Sequence, residues 1–387
     1  MPGLAARALR LGTESAFEVL ARARALEAQG RHILHLEIGE PDFPTPTHVV
    51  AAGRAALRAG ETRYVQAAGL PALRAAIAED VSRRRGLQLP AERVVVTAGA
   101  KAVLLYAVLA TVEPGTEVLL PDPGFPIYES AVRLAGGVPV PVPLHEAHGF
   151  RLRAADVAAR LGPRARLLIL NSPGNPAGAV IPADELRRIA ELAEAHDLWV
   201  LSDEIYLRLA YGAAPSFYGL PGAAARTILL DGFSKAHSMT GWRLGYAALP
   251  QALVEPFVRL TVHSVSCVPP FVQAAGLAAL TGSQGHVEAM VAEYRWRRDF
   301  IVDALRRVPG LRCGEPDGAF YVFPSITGLG RSSAEVADAL LEEAGVAVLA
   351  GTCFGAGGEG FLRLSYAASR QTLAEAVQRI AAWVRGA

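Results

Sequence analysis

Seven short apolar runs between residues 94 and 248 constrain this chain more than any other feature. They are Val94 to Thr97, Glu117 to Leu120, Val138 to Leu144, Leu167 to Leu170, Leu198 to Leu201, Ile228 to Leu230 and Leu244 to Ala248. Short apolar runs bounded by turn signals read as strands. Several have no polar alternation, which suits strands covered on both faces. Helices are read at 102–112 and 183–196 between them. Strands that alternate with helices predict an α/β fold with a mostly parallel sheet and flanking helices. Such sheets bind ligands at the carboxyl ends of their strands, so the residues just after each run carry the functional information.

Those residues are polar and distinctive. The run ending at Leu230 leads through Asp231-Gly232 into Ser234-Lys235-Ala236-His237-Ser238-Met239-Thr240-Gly241-Trp242-Arg243. A lysine just past a strand end, with an arginine beyond a Thr-Gly turn, points to Schiff-base chemistry on a phosphorylated cofactor. The alternative is a solvated surface lysine, which its uncharged, partly apolar surroundings disfavour. Leu198 to Leu201 ends in Ser202-Asp203-Glu204-Ile205-Tyr206, placing an acid at the ligand edge of the sheet. Leu167 to Leu170 ends in Asn171-Ser172-Pro173-Gly174-Asn175-Pro176-Ala177-Gly178, a fixed loop presenting amides. After Val94 to Thr97, Ala98-Gly99-Ala100-Lys101 opens a helix whose free N–H groups suit an anion, although small residues are common in such turns. Phe125, in Pro121-Asp122-Pro123-Gly124-Phe125-Pro126-Ile127-Tyr128, either stacks on a planar ring or packs in the core.

The flanks differ in character. Helices are expected at 13–30, with Thr13 as N-cap, and at 46–60 and 70–85. Gly39, in Gly39-Glu40-Pro41-Asp42, either admits a ligand to the backbone or is a plain turn residue. Tyr64 lies in the loop between the second and third helices. Beyond residue 285 a long charged helix at 287–307 precedes Gly318-Ala319-Phe320-Tyr321-Val322-Phe323. A helix at 333–344, an apolar run at Val346 to Leu349, a strand at Phe361 to Tyr366 and a helix at 370–384 complete the chain. Arg363 faces away from Leu362 and Leu364 on its strand and is either an edge ion pair or a carboxylate receptor. The expected division is an arm with part of a small domain at 1–45, a large domain at 46–285, and a smaller α+β domain at 286–387.

Composition excludes several classes. With 387 residues and a net charge of +1, the chain has no basic field for nucleic acid. Its three cysteines, Cys267, Cys313 and Cys353, are far apart, which argues against disulfides and against zinc. Met1 to Ala28 has no apolar signal-peptide core, and Ala102 to Val112 is too short to span a membrane. A cytoplasmic location and the absence of a metal are the resulting expectations.

The order GEPDFPTP, RYVQAAGLPALR, TAGAK, PDPGFPIY, NSPGNPAG, SDEIY, SKAHSMTGWRLGY, PDGAFYVFP and FLRLSYA resembles the class I aminotransferases, pyridoxal-phosphate enzymes of fold type I. The resemblance covers nearly the whole chain. It implies that Lys235 is the Schiff-base lysine and the base that moves the proton between Cα and C4′. It implies that Asp203 pairs with the pyridine nitrogen, that Tyr206 and Asn175 serve the ring oxygen, and that Phe125 stacks on the ring. Backbone of Ala100 and Lys101, with Ser234 and Arg243, would hold the phosphate. Gly232 stands where many relatives have Ser or Thr. Arg363 would clamp the substrate carboxylate, helped by Gly39 and Asn175. Tyr64 would reach the neighbouring subunit's phosphate, which implies a homodimer with shared sites. The activity implied is ping-pong transfer of an amino group between an amino acid and a 2-oxo acid. Lyases or decarboxylases of the same fold, and a non-catalytic ligand sensor, are the alternatives.

Side-chain specificity is expected to favour neutral amino acids. The segment Val262 to Pro270 contains no Arg or Lys, and a buried carboxylate without a cation is disfavoured. Phe17, Phe125, Phe271 and Phe354 are the apolar candidates for the pocket.

Overall fold

The computed structural model describes residues 3–4 and 15–386. Twelve strands are present among them. They are β1 (Leu34–His35), β2 (Val94–Thr97), β3 (Glu117–Asp122), β4 (Val138–Pro143), β5 (Ala165–Asn171), β6 (Trp199–Asp203), β7 (Thr227–Gly232), β8 (Gly245–Ala248), β9 (Tyr321–Val322), β10 (Val346–Ala347), β11 (Leu349–Ala350) and β12 (Leu362–Ser365). Seven form one sheet in the order β2-β8-β7-β6-β5-β3-β4. All its pairs are parallel except those of β8, which runs against both β2 and β7. The expected mostly parallel sheet with flanking helices is therefore present.

Side-chain alternation explains why this sheet is covered twice. Along β5, Leu167 and Ile169 enter one core while Leu168 and Leu170 enter another. Along β7, Ile228 and Leu230 face the first core and Leu229 a third. Strands with both faces buried need apolar residues at every position, which is the pattern the sequence carries.

The C-terminal region builds a separate antiparallel sheet, β11-β12-β9, and β10 pairs in parallel with β1. That last pair ties residues 34–35 to the C-terminal part of the chain. Helix Ser333–Ala339 starts at a capping box, Ser332 with Glu335, and gives way to a π turn over Leu340–Ala344. The helix read at 13–30 is seen as Ser15–Glu27, and its expected cap Thr13 lies outside the described residues. Four helices have no counterpart in the sequence reading, the short Ile127–Leu134 and Ala154–Ala158 and the longer Gln251–Val265 and Pro270–Thr281. Helix Gln251–Val265 carries Pro256 in its interior, a residue that ordinarily ends a helix. No helix among the described residues is long and apolar enough to cross a membrane.

Candidate active site

The carboxyl ends of β3, β5, β6 and β7 and the start of helix Ala100–Thr111 surround one cavity of about 510 Å³. Asp203 ends β6 and is 7% exposed. The Tyr128 hydroxyl donates to its Oδ2 at 2.7 Å, and the Ile205 amide donates to its Oδ1 at 3.2 Å. Burial pushes the Asp203 carboxyl up to about 6, against the opposing pull of these two donors. A buried acid held by neutral donors suits a cationic ring nitrogen. Beneath it lies a buried ion cluster. Arg85 donates from Nε to Glu204 and from Nη2 to Asp231, both at 2.8 Å. Glu204, the neighbour of Asp203, is thus already engaged.

Lys235 lies past the end of β7. Its Nζ donates to the Gly39 carbonyl at 2.6 Å and sits 5.9 Å from the Tyr206 ring centroid and 5.8 Å from that of Phe320. Gly39 is constrained by shape, because a β-carbon there would collide with the Tyr321 hydroxyl. The Tyr206 and Tyr321 hydroxyls are 2.8 Å apart. Asn171 organises the next loop. Its Nδ2 donates to the Asp203 carbonyl at 3.1 Å, and its Oδ1 accepts from the Asn175 amide at 2.8 Å.

The opposite end of the cavity is cationic. Ala100 and Lys101 begin a helix after Gly99, which has φ 84. Leading N–H groups of a helix have no partner within it and attract anions. Ser234 lines the same end. Arg243, at φ 54, donates from Nη1 to the Thr240 carbonyl at 2.8 Å. Its guanidinium lies where a β-carbon on Gly99 would be. Two N–H groups, a hydroxyl and a guanidinium make a phosphate cradle. A phosphate at this end and a basic ring nitrogen at Asp203 fit the two ends of pyridoxal phosphate.

Arg363, 4% exposed on β12, projects into the cavity wall. Its Nη2 donates to the Glu37 carbonyl and its Nη1 lies 3.5 Å from Asn175 Oδ1. The guanidinium lies over the Tyr321 and Phe354 rings, 4.6 and 5.1 Å from their centroids. Phe125 is on the wall, with Lys101 Nζ 5.5 Å from its centroid.

The cavity therefore brings together Gly39, Ala100, Lys101, Phe125, Asn175, Asp203, Tyr206, Ser234, Lys235, Arg243 and Arg363. Tyr64 is not among them. It is 87% exposed and does not line the cavity. Two apolar candidates need correction. Phe271 packs beside the core that holds Val272 and Phe233, and Phe354 lies under Arg363. Phe17 does line the cavity. Tyr128, Tyr321 and Asn171 are site residues that the sequence reading does not single out. The two tyrosines look like core aromatics in sequence. Asn171 has a usable signal, since it is the polar residue that ends β5.

Residues 31–380 match the family described as aminotransferase class I and II. An arginine–pyruvate transaminase of Pseudomonas aeruginosa is 42% identical, over 95% of this chain and 94% of its own length. An aspartate aminotransferase of Pyrococcus horikoshii is 38% identical, over 97% and 96%. The solved aspartate aminotransferase of Thermus thermophilus with maleate superposes with a TM-score of 0.95 at 39% identity, covering 99% of this chain and 100% of that one. This chain belongs to the class I and II aminotransferases.

Proposed function

We propose that this aminotransferase binds pyridoxal phosphate in the cavity at the carboxyl end of the sheet and moves the amino group of a neutral α-amino acid to a 2-oxo acid. The observation that carries the reading is the convergence of Lys235, Asp203 and Arg363 on that one cavity. When bound, pyridoxal phosphate supplies an electron sink and carries the amino group between half-reactions. Ala100 and Lys101 amides, Ser234 and Arg243 hold the phosphate. Asp203 holds the ring nitrogen in its protonated form, Phe125 covers the ring, and Tyr206 and Asn175 donate to its oxygen. Arg363 clamps the substrate carboxylate, helped by Asn175 and the backbone at Gly39. Lys235 Nζ takes the proton from the substrate Cα and returns it during transfer.

The apolar wall from Ala16, Phe17 and Ile38 supports a neutral side chain. Glu40, exposed on the same wall and bonded to the Thr240 hydroxyl, favours a second reading with a cationic side chain. The same proposal covers a homodimer in which Tyr64 serves the partner's site, and a reducing, cytoplasmic home for the three free cysteines. It also covers the division into 1–45, 46–285 and 286–387, which the β1–β10 pairing supports. The test mixes cofactor-loaded enzyme with single amino acids and follows the cofactor absorbance. Alanine, leucine and phenylalanine should react faster than aspartate and glutamate. Arginine reacting fastest would select the second reading, and a preference for aspartate would reject both. Lys235→Ala should abolish turnover while the protein still folds and binds the cofactor.

A further inference from the structure

Behind the lysine loop lies a pair of histidines, one buried and one half-buried, that the transamination chemistry leaves unused. His237, next but one to Lys235, is 2% exposed. Its Nε2 is 2.7 Å from Arg208 Nη1, and its Nδ1 is 3.1 Å from His286 Nε2. His286 Nδ1 is 3.0 Å from the Ser283 carbonyl. A guanidinium only donates. His237 Nε2 therefore accepts, and the ring proton sits on Nδ1. That N–H needs a bare Nε2 on His286, whose own proton sits on Nδ1 and goes to Ser283. The arginine thus fixes every tautomer along a one-way chain of two neutral imidazoles.

The chain joins three segments. Arg208 belongs to the 3-10 turn Leu207–Leu209, directly after Tyr206, and its Nη2 donates to Gln284 Oε1 at 2.6 Å. His237 belongs to the lysine loop. Ser283, Gln284 and His286 form the entry to helix Gly285–Arg306. The other side of the lysine loop is held by Thr45, whose hydroxyl donates to the Ser238 carbonyl at 2.6 Å. Ser238 itself has φ 51, a conformation that needs support in a residue with a β-carbon. Among the described residues no group of His, Cys, Asp and Glu is arranged to hold a metal ion.

We propose that the Arg208–His237–His286 chain is a strap that positions Lys235. It sets the register of the loop from Phe233 to Ser238, so that Nζ reaches the Cα of a bound substrate, and it slackens when an imidazole takes up a proton. His237 and Arg208 are positioning residues, since neither is on the cavity wall. A second proton on His286 sets its Nε2–H against the Nδ1–H of His237. A second proton on His237 sets an N–H against Arg208. The groups facing the two rings are Arg208, Arg84 and His48, all basic. Asp80, Asp231 and Tyr246 act on Arg208, with Arg84 opposing them. Burial, followed by these basic neighbours, lowers the pKa of His237 far below the usual histidine value. Burial also lowers that of His286, against the pull of its bond to Ser283. The strap is intact at neutral pH and yields to acid first at His286, the less buried ring.

The inference rests on Lys235 as the reacting lysine, and the experiment separates the two ideas. Single-turnover rates with an amino donor are measured from about pH 5 to about pH 9, with donor affinity and thermal melts, for wild type, Lys235→Ala, His237→Phe, His237→Gln and His286→Ala. His237→Phe keeps the ring and should slow the turnover about tenfold or more, with donor affinity unchanged within about twofold. His237→Gln, whose amide oxygen can still accept from Arg208, should be faster than His237→Phe. His286→Ala should lower the neutral-pH rate and make the fall in rate on the acid side shallower than in wild type, leaving the part that Asp203 contributes. Three results would overturn the strap. They are a folded His237→Phe with wild-type rate and profile, a His237→Gln no faster than His237→Phe, and a His237→Phe that loses donor affinity instead of rate. If His237→Phe fails to fold, His286→Ala decides, and a wild-type rate with an unaltered acid limb would count against the proposal. Turnover by Lys235→Ala would overturn the reading of the lysine itself.

Discussion

Asp203 is held in place by the Tyr128 hydroxyl and the Ile205 amide, and burial raises its pKa to about 6. A protonated ring nitrogen beside it would draw that value back down. Asp203→Asn keeps the shape and removes the charge. The expected loss in kcat is about 100-fold or more, as for other aligned electrostatic partners, measured by steady-state transamination with cofactor bound. Wild-type kcat would move the role elsewhere. Glu204 is poorly placed to inherit it, because Arg85, Ser202 and Ser216 already engage its carboxylate. Tyr128→Phe removes a donor that favours the ionised carboxylate. The Asp203 pKa should then rise, and the acid limb of the kcat profile should move to higher pH, with a loss of about tenfold at neutral pH. An acid limb that stayed in place would show that Tyr128 does not tune this carboxylate. Lys235 and Asp203 were legible in sequence because each polar side chain follows an apolar strand. Tyr128 and Tyr321 were not, because a buried phenol that aims its hydroxyl inward has the same sequence signature as one that only packs.

The helix Ala100–Thr111 shows what an element adds to its residues. Its first amides converge with Arg243 only because Gly99 has no β-carbon to displace the guanidinium. Gly99→Ala should also strain the backbone at φ 84. Loss of one charge-assisted bond, about 2 kcal/mol, corresponds to roughly 30-fold weaker cofactor binding, measurable by titrating the apoprotein with pyridoxal phosphate. Unchanged affinity would remove Arg243 from the phosphate site. A second element contact is set by charge. His35 on β1 lies 2.8 Å from Glu37 and 3.1 Å from Glu27, the last residue of helix Ser15–Glu27. The buried Glu37 carboxylate, the largest influence, lifts the His35 pKa to about 9 from 6.5. A raised histidine pKa stabilises the fold fully below the unfolded value and loses that contribution as pH climbs through the folded one. Between pH 6.5 and about 9 wild type should therefore lose melting temperature that His35→Gln does not lose. Parallel melting curves for the two proteins would dismiss the clamp. The strand-to-helix turn at Thr97 to Lys101 could be read in sequence, since it is local. The arrival of Arg243 beside it could not, because that meeting depends on how β8 packs against β2.

At the scale of the whole molecule, the alternation of strands and helices was legible, and the order of strands was not. Nothing local in Gly245 to Ala248 announces that β8 runs against its neighbours. Helix Gln251–Val265 was hidden by its internal Pro256. Tyr64 poses the remaining question of scale. It is 87% exposed, and Val262 and Val265 also present apolar surface, at 48% and 43% exposed. A tyrosine that serves chemistry from such a position needs a second copy of the chain to receive it. The proposed two-fold dimer would supply that copy and make each site composite. Lys235→Ala and Tyr64→Ala subunits offer a direct test. Lys235→Ala homodimers lack Lys235 in both sites, and Tyr64→Ala homodimers lack Tyr64 in both. In a mixed dimer the Tyr64→Ala subunit keeps its own Lys235 and Arg243 and receives Tyr64 from its partner, so one of two sites is whole. Random exchange of equal amounts makes about half of the dimers mixed and restores about a quarter of the wild-type sites. Activity should rise toward that level as subunit exchange proceeds, followed by mass or by tagged subunits. If exchange is complete and activity stays at the mean of the two parents, Tyr64 acts within its own protomer or not at all.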